Sequence, residues 1–134
     1  MLNPSKADAH HNDPTIRRCI DFATQWRGTH LLVVNLFALC ATTPTTLWQD
    51  GVHDVVGPKN DETILAAAEL TQHHKGIMIA AWGNHGGLKQ RERDVLRTIA
   101  FCHPKCLKVN KTGSPAHPLY QPKKARPVKL AFNR

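Results

Sequence analysis

Four short polar clusters follow apolar runs in this chain, and their residue types are those that hold, read and protonate a planar ligand. Asn3-Pro4-Ser5 stands directly after Met1-Leu2, and Asn35 follows the apolar residues 31–34. Trp82-Gly83-Asn84-His85-Gly86 closes the run that starts at Ile77, and His117 lies between Pro115 and Pro118 in a polar stretch from Lys111 to Tyr120. A carboxamide carries donors and an acceptor on one flat group, so Asn3 and Asn35 can each hydrogen-bond a polar ligand. An amide inside an apolar run must find partners or cost about 1–3 kcal/mol, so Asn35 has either a ligand or a structural bond to a neighbouring loop. His117 can change charge near neutral pH, and the prolines stiffen its loop. Each cluster also has an ordinary explanation: asparagine before proline opens turns, Ser5 caps, and Gly83 and Gly86 permit close packing.

These clusters act together only if the fold gathers them. Asp13-Pro14 reads as a helix cap followed by proline at the first helical position. Ile16, Cys19, Ile20 and Ala23 then recur at helical steps up to a stop near Arg27-Gly28. Residues 31–37 form a nearly unbroken apolar run, the pattern of a strand buried on both faces. After a connector, Asn60 or Asp61 caps a second helix running to about Gln72, and Gly76 opens a second strand over 77–82. A third helix from about Gly87 carries Leu88, Val95, Leu96 and Ile99 on one side, and residues 106–109 supply a further strand. This alternation predicts an α/β fold, a three-layer sandwich whose mostly parallel sheet has helices on both faces. Met1-Leu2 reads as the end of a first strand that is largely missing. In open parallel sheets ligands bind beyond the carboxyl ends of the strands, where all four clusters fall.

A chain of 134 residues supports one core, so a single α/β domain over 1–120 and a basic C-terminal arm over 121–134 are expected. The net charge of +8 and a pI near 9.7 favour polyanions, because each phosphate neutralised by Lys or Arg releases counterions. No Asp or Glu follows Asp94, whereas Lys111, Lys123, Lys124 and Arg126 all do. Nucleic acid, DNA foremost, is the expected partner, with a solubilising tail as the plainer reading of the same charge. No apolar run is long enough to span a membrane and no signal-peptide layout opens the chain, which predicts a cytoplasmic protein without membrane attachment, expected as a monomer. Cys19, Cys40, Cys102 and Cys106 are expected as free thiols, and Cys102-His103-x-x-Cys106 is too cramped for tetrahedral ligation. Neither a metal nor another cofactor is expected. Asp8 and Asp13 are candidate bases, although capping alone accounts for Asp13.

Taken together, Leu2-Asn3-Pro4-Ser5-Lys6-Ala7-Asp8, the segment opening Asp13-Pro14-Thr15, Val33-Val34-Asn35-Leu36-Phe37-Ala38, Ala81-Trp82-Gly83-Asn84-His85-Gly86 and His117-Pro118-Leu119-Tyr120 resemble the bacterial and phage domain-of-unknown-function family 1643, over residues 2–120. More faintly, the same motifs in the same order are similar to the uracil-DNA glycosylase superfamily, which implies a parallel sheet covered on both faces. By that resemblance Asn3 positions the attacking water and His117 donates toward the base oxygen, making these two the catalytic residues. Asn35 reads the base edge, with Pro4, Ser5, Trp82 and Asn84 around it. Lys111, Leu119, Tyr120, Lys123, Lys124 and Arg126 hold the nucleic acid, Leu119 or Tyr120 filling the gap left by a flipped base. Leu119 and Tyr120 stand where the superfamily's His-Pro loop normally continues with serine and a second proline. The implied activity is hydrolysis of the N-glycosidic bond of a modified or mispaired base. Two alternatives stay open: a non-catalytic nucleic-acid-binding module with the same fold, and an enzyme acting on free nucleotides.

Overall fold

The computed structural model describes residues 1–4, 13–40, 47, 54–87 and 90–131. Helix α1 spans Pro14–Gln25, and Asp13 caps it through Oδ1, which accepts from the amides of Thr15 at 2.7 Å and Ile16 at 3.3 Å. Proline costs nothing at that first position because its missing N–H would have had no helical partner. The chain leaves α1 through Arg27 in the left-handed region, and Phe22, buried, stacks on Trp26 at 5.3 Å. Helix α2 spans Asn60–His73 and buries Ile64, Ala67 and Ala68. Asn60, expected as a cap, instead donates from Nδ2 to the carbonyls of Asn35 at 3.0 Å and Leu36 at 2.8 Å. Helix α3, Arg91–Thr98, begins later than the expected Gly87. Two successive glycines are poor helix formers, and Gln90 at the N-cap is left-handed. Val95, Leu96 and Ile99 are buried as their spacing predicts, while Leu88 lies outside the described residues.

The mixed α/β character stands, but the three-layer sandwich with a mostly parallel sheet is not what these residues form. Strands β1, Lys105–Cys106, and β2, Val128–Lys129, make a two-stranded antiparallel sheet with Lys105 opposite Lys129 and Cys106 opposite Val128. Residues 31–37 and 77–82 do not form the expected strands, and of the strand expected over 106–109 Cys106 alone lies in β1. Parallel pairing survives in two places. The Met1 nitrogen donates to the Val34 carbonyl at 2.9 Å and the Leu36 amide to the Met1 carbonyl at 2.9 Å, the slanted pattern of parallel strands. Likewise the Lys105 amide bonds the Met78 carbonyl at 2.9 Å and the Ala80 amide bonds the Lys105 carbonyl at 2.8 Å. Among the described residues no backbone hydrogen bond joins these two groups. An apolar run becomes a strand only when a neighbour completes its ladder, and among the described residues the backbone bonds to this run, from Met1 and Leu2, fall at residues 34–37. Leu31 and Leu32 are accordingly exposed at 43% and 59%.

One core nevertheless holds the pieces together. Phe37, fully buried, belongs to a cluster with Leu2, Leu36, Ile64, Trp82 and Ile99, and Leu130, just after β2, joins the same cluster. Arg91 is a buried charge that locks the layers. Its Nε donates to the Leu36 carbonyl at 2.7 Å, and one terminal nitrogen pairs with Asp61 Oδ1 at 2.6 Å while the other, buried, has no hydrogen-bond partner among the described residues. Asn60 and Arg91 thus clamp the end of the 31–36 run between α2 and α3. No helix among the described residues is long and apolar enough to cross a membrane.

Candidate functional site

Met1 faces Asn35 across the short parallel pairing, and the Phe37 amide bonds the Leu2 carbonyl at 2.9 Å, so Asn3 runs on beside residues 37–39. The Asn3 carboxamide donates to the carbonyls of Pro4 at 3.1 Å and Leu39 at 3.5 Å, tying its own half-buried loop to that edge. Ser5 and Asp8 lie outside the described residues. At Asn35 the backbone is held by Asn60, whereas its half-buried carboxamide makes no hydrogen bond among the described residues. The loop contact that would have explained this amide structurally is made by Asn60.

The Trp82 and His117 motifs meet each other. Gly83 adopts a positive φ of 78°, its amide bonds the Pro115 carbonyl at 2.9 Å, and a Cβ there would lie 3.4 Å from the His117 Cβ. Trp82 is buried, and its indole nitrogen has no hydrogen-bond partner among the described residues. Asn84 is exposed and its carboxamide oxygen accepts from Asn110 Nδ2 at 2.7 Å and Thr112 Oγ1 at 3.0 Å, so it fastens the turn leading to His117. Ser114, buried, donates to Glu92 Oε2 at 2.9 Å and ties the same turn to α3.

His117 precedes a 3-10 helix, Pro118–Tyr120, on which α1 packs. The Leu119 amide donates to His117 Nδ1 at 3.3 Å, so the neutral ring carries its hydrogen on Nε2. Burial holds the imidazole below the usual histidine range, the positive Met1 amino group adds to that, and the Asp13 carboxylate opposes it. The Met1 amino group, desolvated, is itself drawn from an ordinary 8.0 to about 6. Burial raises the Cys19 thiol, which is therefore no ready thiolate. Tyr120 is 79% exposed, its ring tilted against His117 at 5.6 Å, and Leu119 is half-buried. Lys111, Lys123, Lys124 and Arg126 are exposed. Asn3 and Asn35 therefore share one edge, and Trp82-Gly83 and His117 share another contact. Asn60, Arg91 and Glu92 have no signal in the sequence that sets them apart from surface residues; only the fold reveals what they hold.

A depressed histidine has a signed consequence. Between the ordinary value near 6.5 and its lower folded value, the unfolded chain binds a proton at residue 117 that the folded chain refuses, so acidification weakens folding there and the loss levels off below the folded value. The Met1 amino group acts in the same direction from 8.0 down to about 6. We expect the His117 ring resonance in a proton NMR titration to reach its midpoint below the usual histidine range. We also expect His117→Gln to flatten part of the fall in melting temperature between pH 7 and 5. A His117 midpoint at or above 6.5 would contradict the buried, amide-bonded ring.

The family model described as "Protein of unknown function (DUF1643)" matches residues 1–119. Neither a curated protein nor a solved structure matches the chain.

Proposed function

The chain belongs to the DUF1643 family, and on that footing we propose that it is a DNA glycosylase-like hydrolase, a cytoplasmic monomer that binds nucleic acid and releases a modified or mispaired base from its sugar. The observation that carries this reading is the ring of His117. Its Nδ1 is occupied by the Leu119 amide and burial keeps it neutral, which leaves Nε2–H as a positioned donor. In N-glycosidic hydrolysis the C1′–N bond breaks with its electron pair on the base, water adds its oxygen to C1′ and loses a proton, and the base takes one up. Negative charge grows on the base oxygens, where a neutral, preorganised N–H donor stabilises it without prior proton transfer.

The other roles follow from residue type and place. The Asn35 carboxamide, half-buried and unspent, reads the base edge, while Asn60 and Arg91 hold the backbone beneath it. Asn3 holds the water, with Pro4 and Ser5 shaping its loop. Trp82 and Asn84 act by setting Gly83 and the 110–117 turn against His117. Tyr120, exposed beside the imidazole, fills the space vacated by a flipped base together with Leu119, and Lys111, Lys123, Lys124 and Arg126 hold phosphates.

The test is incubation with single- and double-stranded oligonucleotides carrying uracil or modified pyrimidines, followed by hot alkali. Strand scission at the modified position alone is the expected result. Intact strands across the panel, with binding to the same oligonucleotides retained, would assign the chain to non-catalytic binding. Turnover of free nucleotides that survives deletion of residues 123–134 would assign it to nucleotide chemistry.

A further inference from the structure

We propose that the solvent face of the β1-β2 ladder is a further phosphate-binding surface, centred on Lys105 and Lys129, which the candidate site does not include. The proposal rests on the nucleic-acid partner of the reading above and is independent of its catalysis. Lys105 directs both its amide and its carbonyl toward residues 78 and 80. Neither group is left for β2, so Lys105 and Lys129 form the non-hydrogen-bonded kind of antiparallel pair, with Cα atoms about 4.5 Å apart and side chains on one face. Both are exposed, whereas the next pair turns Cys106 fully into the core.

Like charges directly opposite across a ladder destabilise it. The usual remedy is a carboxylate nearby, yet none follows Asp94 in the sequence, and neither lysine makes an ion pair among the described residues. The pair also sits on fixed backbone. Lys105 is bridged on both sides, and Leu130 anchors the end of β2 in the core. Trp26 Nε1 donates to the Ala125 carbonyl at 3.3 Å, pinning the Lys123-to-Arg126 turn that leads into β2. Two cations held close together without a counter-charge suit a polyanion whose charges are themselves closely spaced. A nucleic-acid strand offers one phosphate per about 3.4 Å.

Lys129→Glu separates this role from a structural one, because it sets a carboxylate opposite Lys105. The melting temperature is expected to hold or rise. Affinity for an unmodified 20-base-pair duplex at 50 mM salt is expected to fall about tenfold or more, and the slope of log K against log salt to become shallower by about 1 to 2. Arg97→Glu, an equal charge change on α3, is expected to have a clearly smaller effect on both. Because the duplex carries no modified base, absence of glycosylase activity cannot mimic failure here. Equal losses in the two variants would reduce the surface to net charge and overturn the proposal. So would undiminished duplex binding by Lys129→Glu, or tighter binding of phosphatidylserine vesicles than of duplex by the unaltered protein.

Discussion

Gly86→Ala is expected to destabilise the protein by about 1–3 kcal/mol, the range for forcing a methyl group into a filled core. A Cβ at residue 86 would fall 2.2 Å from Trp82 Cδ1 and 2.4 Å from its Nε1, far inside contact distance, and 3.0 Å from Glu92 Oε2. The indole cannot swing away, because Trp82 is 4% exposed and belongs to the core cluster with Phe37 and Ile99. Glu92 is held by Ser114, and its own amide bonds the Gly86 carbonyl at 2.8 Å, so the strain also enters the start of α3. The neighbouring Gly87 is the control, since none of the described residues beyond its chain neighbours comes within 4 Å of a Cβ there. Thermal or urea unfolding of the two alanine variants should separate them by several degrees or the corresponding midpoint shift. Equal midpoints would mean that Trp82 does not pack against Gly86 as described.

That contact shows where the sequence was legible. Gly86 reads as a site of close approach, and the two caps read from chemistry alone, Asp13 with Pro14 and the stop at Arg27, match the helix found. Periodicity also located Ile64, Ala68, Val95, Leu96 and Ile99 on buried faces, because a helix satisfies its own backbone and needs only one apolar stripe. Strands have no such autonomy. The apolar runs at 31–37 and 77–82 carry the side chains of buried strands, but a ladder is a property of two segments, and among the described residues the backbone bonds to the first run come from Met1 and Leu2 and reach residues 34–37. The three-layer parallel sheet therefore gives way to two separate pairings and one short antiparallel sheet.

The candidate site divides along the same line. Residues that are distinctive in type, such as Asn35 within an apolar run and His117 between prolines, were visible from composition and position. Their supports were not. Asn60 reads as a helix cap and nothing in the sequence marks Arg91, yet both donate to the Leu36 carbonyl. A buried guanidinium is tolerated only when paired, and Asp61 supplies the pair from α2. The amide that stays unspent, Asn35, is thus held in place by groups whose importance depends wholly on tertiary contact.

The largest functional effect is expected at His117. If Nε2–H stabilises the departing base, His117→Ala should slow single-turnover base release by about 10²–10³-fold, the loss seen when one preorganised donor to a developing anion is removed. Binding of the same oligonucleotide should change little, because the donor acts mainly on charge that appears in the transition state. The pH profile separates this role from acid catalysis. A neutral donor is present above the folded pKa, which burial holds below the usual histidine range. Protonation would set an N–H on Nδ1 against the Leu119 amide and disturb the ring's placement, so the rate should rise as pH climbs through that value and be level above it as far as this group is concerned. A proton-donating imidazolium would give the reverse, a rate that falls across the same interval. His117→Gln, which keeps an N–H donor on a shorter, unringed group, should recover part of the rate without the pH step. A full rate in His117→Ala would remove the imidazole from the chemistry and leave the protein as a nucleic-acid-binding module, in which the Leu119 bond to Nδ1 serves only to set the turn.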